Sequence, residues 1–189
     1  DGLHGAIAPD NAERLDRILD HFDTLTAELA RSGRGAETLS DTEAEVVPAA
    51  LLFSMLERMF GAEARERGID LRFVASTARF HVPAMVLMRI GANLVSNAVA
   101  HSGATRILVG VRSHGEKLWL VIADDGAGFP KGDVESAMQS GVKGEASGGE
   151  GLGLSIVAEL AQENDLELDA RSVEGQGAAL SVLIPRAPD

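Results

Sequence analysis

The chain has 189 residues, 45% hydrophobic and 24% charged, the balance of a globular protein rather than a disordered one. Lys and Arg number 17 against 29 Asp and Glu, a formal charge of -12 that argues against nucleic acid as a partner, because binding backbone phosphates needs clustered cations. There is no Cys, which excludes disulfides, thiolate zinc sites and cysteine nucleophiles, and no apolar run approaches the length of a membrane span.

The chain opens on Asp rather than Met, and the expectation is a segment of a longer protein. A first helix starts after Ala8-Pro9 with Asp10 or Asn11 as N-cap. Leu15, Ile18, Phe22, Leu25 and Leu29 follow at steps of 3, 4, 3 and 4, with charged residues on the other faces. That is heptad spacing over about 22 residues, on the order of 33 Å, and it predicts one arm of a helical bundle shared with a second chain. Ser32-Gly33-Arg34-Gly35 closes the helix, and residues 36–46 are acidic and poor in apolar side chains, so a domain boundary is expected there. Two units result, residues 1–35 with the helix at 10–31, and residues 46–189.

In the second unit Pro48 takes the first position of a helix that runs to about Arg67 and ends at Gly68. Ile69–Ala75 alternates like a strand. Pro83 opens a second helix that stops near His101 at Ser102-Gly103. Thr105–Arg112 and Lys117–Asp124 read as two strands joined at His114-Gly115. After a glycine-rich loop come a helix over Leu152–Asn164 and strands over Leu166–Val173 and Ala178–Pro185, hinged at Gly175-Gln176-Gly177. The order predicts an α/β fold, a two-layer sandwich with a mixed sheet covered by helices on one face.

Three constellations carry chemistry. Nine of the 21 glycines lie between Gly126 and Gly153, a density that ordinary surface loops lack and that lets a ligand approach the backbone closely. Asp124-Asp125-Gly126-Ala127-Gly128-Phe129 leaves a strand, which puts the Asp124 carboxylate at a strand end facing a pocket. Gly149-Glu150-Gly151-Leu152-Gly153-Leu154 runs directly into a helix, whose N-terminal amides and dipole form a phosphate site. The third constellation is Asn93, Asn97 and His101, spaced i, i+4, i+8 on one face of the helix after Pro83. Asn is a poor helix former, and its side-chain carbonyl is a hard donor suited to Mg²⁺, which keeps water and phosphates as its other ligands.

These pieces, in this order, resemble the nucleotide-binding domain of two-component sensor histidine kinases, the GHKL-type ATP-binding (Bergerat) fold shared with gyrase, Hsp90 and MutL. Asn93–Asn97 matches the family's N box, Asp124–Phe129 its first glycine box and Gly149–Leu154 its second, so that the resemblance covers about residues 46–186. Residues 10–31 look like the second helix of the dimerisation and phosphoacceptor hairpin. The resemblance implies that Asp124 accepts a hydrogen bond from the adenine amino group. Asn97 would ligate Mg²⁺, and Asn93 would orient the metal or the attacking group. Gly126 and Gly128 would shape the adenine side, and Gly149, Gly151 and Gly153 the lid. It further implies ATP and Mg²⁺ as cofactors, a cytoplasmic location for this portion, a homodimer in the full-length protein, and a response-regulator receiver domain as partner in a phosphorelay.

The chain departs from the family pattern at Ala100, where many members carry Lys, and at Glu150, which replaces Thr or a small residue. No Phe follows Phe129, so the lid lacks its usual Phe motif, and Lys143, with Lys131, is the cation left to compensate. His4 has Pro9 five residues later but Gly5 where the family has an acidic residue, and only one helix separates Pro9 from the second unit. The phosphoacceptor is therefore expected upstream of this fragment, with residues 1–9 as the hairpin loop and His21 solvated. The alternatives are a degenerate nucleotide-binding or interaction module without kinase activity, and a serine kinase of the anti-sigma type.

Overall fold

The computed structural model describes residues 43–129 and 152–188. The expected helix at 10–31, His4, His21, Lys131, Lys143, Gly149, Glu150 and Gly151 lie outside the described residues.

Seven strands and three helices are described. They are β1 (Glu45–Pro48), α1 (Ala49–Glu66), β2 (Asp70–Phe73), β3 (Arg79–Val82), α2 (Ala84–His101), β4 (Arg106–His114), β5 (Lys117–Asp124), α3 (Leu152–Glu163), β6 (Glu167–Val173) and β7 (Gly177–Pro185). Five strands form one sheet in the order β2-β4-β5-β7-β6. β2 runs parallel to β4 and all other neighbours are antiparallel. The parallel pair needs a crossover, and α2 is that crossover, which lays it across the sheet. The mixed sheet with its helices is the α/β sandwich expected.

Local chemistry sets the helix ends. Ile69 donates to the Ala64 carbonyl at 2.8 Å and Gly68 to Arg65 at 3.1 Å, with Gly68 at φ +72, so α1 stops in a Schellman turn. α3 ends the same way with a non-glycine residue in the left-handed position: Asp165 sits at φ 53 and Leu166 donates to Ala161 at 2.8 Å. Pro48 is the N-cap of α1 rather than its first helical residue, and is also the last residue of β1.

The core lies between the helices and one sheet face. Alternation aims Leu118, Leu120 and Ile122 of β5 and Leu180, Val182 and Ile184 of β7 at Leu56, Leu87, Ile90, Leu94 and Val157. Gly91 keeps the α1–α2 crossing close, since a Cβ there would come 3.2 Å from Leu56 Cδ1.

β1 and β3 form a two-stranded antiparallel ladder that the sequence pattern does not announce. It pairs Glu45 with Val82 and Pro48 with Arg79, buries Phe80 completely, and is tied to the C-terminal segment by Ala187 donating to the Arg79 carbonyl at 2.8 Å. Among the described residues no helix is long and apolar enough to cross a membrane.

Candidate functional site

Asp124 is the last residue of β5, paired with Ile107 on one side and Ala178 on the other. The two-residue period that buries Leu118, Leu120 and Ile122 puts its carboxylate on the same, helix-facing side of the sheet. Ile122 lies on the same side as Asp124, and Val121 points to the opposite face by that alternation. Burial pushes the Asp124 carboxyl above the usual carboxylate range, opposed by the N–H groups of Gly126 and Ala178, while neighbouring Asp125 pushes it further up. Gly126 N–H donates to Asp124 Oδ1 at 2.9 Å. A desolvated acceptor at a strand end is suited to a neutral donor, such as an amino group, more than to a cation-rich solvent shell.

The loop after Asp124 is held from three directions. Ala127 donates to the Ser102 carbonyl at the C-terminus of α2 at 2.8 Å. Gly175 donates to the Ala127 carbonyl at 2.6 Å, and Phe129 donates to Ser172 Oγ at 2.7 Å, which fixes the loop to the β6–β7 turn. Asp125 faces outward and ties the loop to β4: it accepts from Thr105 N at 2.8 Å, Thr105 Oγ1 at 2.9 Å and Arg106 N at 2.7 Å. Those donors, the Arg106 N–H first, hold its carboxyl below the usual range. The sequence carries no signal for this anchoring role of Asp125, because the doublet points to a pocket only through Asp124.

Two glycines make this packing possible. A Cβ on Gly126 would collide with the Ser102 carbonyl, and one on Gly177 with the Asp124 carbonyl, where Gly177 also sits at φ +95. Gly128, at φ +67, lies against Ser172 and Val173. Gly177→Ala should therefore cost about 3 kcal/mol or more in chemical denaturation, an overpacking penalty added to a left-handed one. Gly115→Ala, at φ +58 in open space, should cost only about 1 kcal/mol. Equal losses in the two variants would contradict the contact between β7 and Asp124.

α2 supplies the other wall. Asn93 is 5% exposed, the buried polar residue among the described ones, and its Nδ2 donates to the Arg89 carbonyl at 2.7 Å. Its amide nitrogen is thus spent on the helix backbone and its oxygen is the atom left for other work. Asn97 is partly buried and its amide makes no hydrogen bond to a described residue. Ala100 is partly buried on the same face, and His101 is exposed at the helix end. The structure thus brings Asp124, Gly126 and the C-terminal half of α2 together through the Ser102 contacts.

Leu152 and Gly153 form the start of α3. Leu154 is buried in the core with Leu94 and Val157, so it holds α3 to the rest of the domain. Among the described residues no group of three or more His, Asp or Glu is placed to hold a metal ion. A single amide oxygen on a partly buried face suits a divalent ion that takes most of its ligands from phosphates and water, and Asn97 fits that requirement.

Residues 84–188 match the family model described as histidine kinase-, DNA gyrase B-, and HSP90-like ATPase. The sensor-like histidine kinase SenX3 of Mycolicibacterium smegmatis is 34% identical over 104 residues, 52% of this chain and 27% of that protein. The sensor histidine kinase WalK of Bacillus subtilis is 32% identical over 101 residues, 49% of this chain and 16% of that protein. The chain therefore spans about a quarter or less of the length of these relatives. Among solved structures, the catalytic domain of histidine kinase ThkA superposes with a TM-score of 0.66 at 21% identity, covering 77% of this chain and 97% of that one.

Proposed function

The chain belongs to the family of histidine kinase-, DNA gyrase B- and HSP90-like ATPases, with sensor histidine kinases as relatives, and from that premise we propose that it binds ATP with Mg²⁺ and transfers the γ-phosphoryl group to a histidine. The observation that carries this reading is the desolvated Asp124 carboxylate at the end of β5, locked against the C-terminus of α2 by Gly126 and Ala127.

In this reading Asp124 accepts from the adenine amino group, and the backbone of Gly126 and Gly128 lines the base. Asn97, with Asn93 behind it, faces the phosphates, as do the backbone amides of Gly149, Gly151 and Gly153 at the entry to α3. Lys143 supplies a cation from the lid, and His101 closes the face at the helix end. Leu152 lies on the same stretch of backbone, and Leu154 acts through packing at the start of α3. Mg²⁺, held by Asn97 and the phosphates, would neutralise charge on the triphosphate. A neutral imidazole nitrogen attacks the γ-phosphorus in line, the bond to the bridging oxygen breaks, ADP leaves, and the imidazole loses its remaining proton to solvent. Positioning and charge neutralisation supply most of such a rate, so no strong base is needed from this domain. Residues 10–31 serve as the second helix of a dimerisation hairpin, residues 46–189 as the catalytic unit, and the phosphate passes to a receiver-domain aspartate. This portion works in the cytoplasm.

Incubation with labelled ATP and Mg²⁺ should leave the chain itself unlabelled. Adding a separate histidine-bearing dimerisation hairpin should produce acid-labile, base-stable label on the hairpin. Label on His4 would overturn the placement of the acceptor outside this chain. Ala100 offers a methyl group where the family pattern that the chain resembles has Lys, which favours the second reading, a module that binds nucleotide without transferring phosphate. Saturable ATP binding with no transfer to any hairpin would select it.

A further inference from the structure

We propose that Arg89 is a binding residue for the terminal phosphate of the nucleotide, an inference that rests on the ATP-binding reading above. Arg89 is the sole Lys, Arg, Asp or Glu in α2. Among the described residues its Nε is the buried side-chain nitrogen or oxygen that has no hydrogen-bond partner. Withdrawing one guanidinium N–H from water without a partner is unfavourable, while Arg89 as a whole is only partly buried, so the rest of its guanidinium can reach a ligand.

The position names the oxyanion. At 100° per residue Arg89 stands 40° from Asn93 on the helix surface and one turn before it, and its backbone carbonyl is the acceptor of the Asn93 amide at 2.7 Å. Along α2 the order from the Asp124 end is Ser102, Asn97, Asn93, Arg89, a span of about 20 Å at 1.5 Å per residue. A nucleotide with its base at Asp124 and its metal at Asn97 reaches Arg89 last. Helical side chains lean toward the N-terminus, which carries the guanidinium still further from the base. Arg89 therefore meets the third phosphate and not the first two. It also supplies a fixed positive charge on the face where Ala100 supplies none.

The test compares affinities of the chain for ADP and for adenylyl imidodiphosphate, both with Mg²⁺, in the wild type, Arg89→Lys and Arg89→Met. The wild type should bind the triphosphate analogue more tightly than ADP. Arg89→Met should weaken the analogue about tenfold and ADP less than twofold, because a charge-assisted contact is lost from one phosphate only. Arg89→Lys should fall between, keeping charge but losing the planar fork. A merely structural Arg89 would lower both affinities together and leave their ratio unchanged, and that result overturns the proposal. A wild type that binds both equally overturns it while sparing the ATP-binding reading. A wild type that binds neither overturns both.

Discussion

Competition between ATP and GTP should show at least a tenfold preference for ATP, and Asp124→Asn should shrink that preference while stabilising the empty domain at neutral pH. A carboxylate accepts from the adenine 6-amino group, whereas the 6-oxo group of guanine would place two acceptors face to face in a partly dry site. An unpaired buried polar group costs roughly 1–3 kcal/mol, which is about tenfold or more in affinity. An amide in its place can also donate, so discrimination falls. The stability change follows from the raised carboxyl of Asp124. Between the unfolded and folded titration ranges the folded protein holds the extra proton, so its stability declines as pH rises through that window. Above the window the folded protein bears the full cost of a desolvated charge. Asparagine carries no such cost and retains an oxygen for the Gly126 N–H. Thermal melts of the unliganded proteins should place Asp124→Asn above wild type at pH 7, with the difference closing in acid below the ordinary carboxylate range. A lower melting temperature for the variant at pH 7 would mean that hydrogen bonding to Asp124 outweighs its burial.

Asn97→Ala should weaken Mg²⁺-dependent ATP binding about a hundredfold, roughly 2.7 kcal/mol, and leave the unliganded melting temperature almost unmoved. Asn97 is partly buried and its amide makes no hydrogen bond to a described residue, so the fold loses little with it. Asn93→Ala should behave differently. That side chain is 5% exposed and bonded to the Arg89 carbonyl, and its loss should lower apo stability by about 1 kcal/mol as well as affecting binding. Calorimetric titration of ATP with Mg²⁺, paired with melts of each variant, separates the two residues. If both variants lose the same stability and the same affinity, the division of labour between them is wrong.

Much of the site could be read before the structure because its signals are local. The alternation Leu118, Leu120, Ile122 already aims Asp124 at the core side, and Pro48, Gly68, Pro83 and Ser102-Gly103 punctuate α1 and α2 within a residue or two of their ends. What escaped depends on partners distant in sequence. Gly126 is required by Ser102 on another element, and Gly177 by Asp124, neither of which a glycine-rich string discloses. Asp125 looks like a duplicate of its neighbour until Thr105 and Arg106 are seen beneath it. β1 and β3 are four residues each and one ends in Pro, too short for periodicity to speak; only the alternating burial of Arg79–Val82 leaves a trace. Nothing in the sequence singles out Arg89, because an orphaned donor is a property of packing and not of composition.

The central claim is that the nucleotide lies between the end of β5 and the partly exposed face of α2, and an amide-resolved NMR titration tests it most directly. Adding ATP with Mg²⁺ to the isotope-labelled chain should shift the Asn97 side-chain amide and the backbone amides of Gly126, Ala127 and Ala178 first. Amides on the opposite face of the sheet, around Leu108 and Val121, should stay in place. Shifts confined to that opposite face, or none at saturating ATP, would contradict the account.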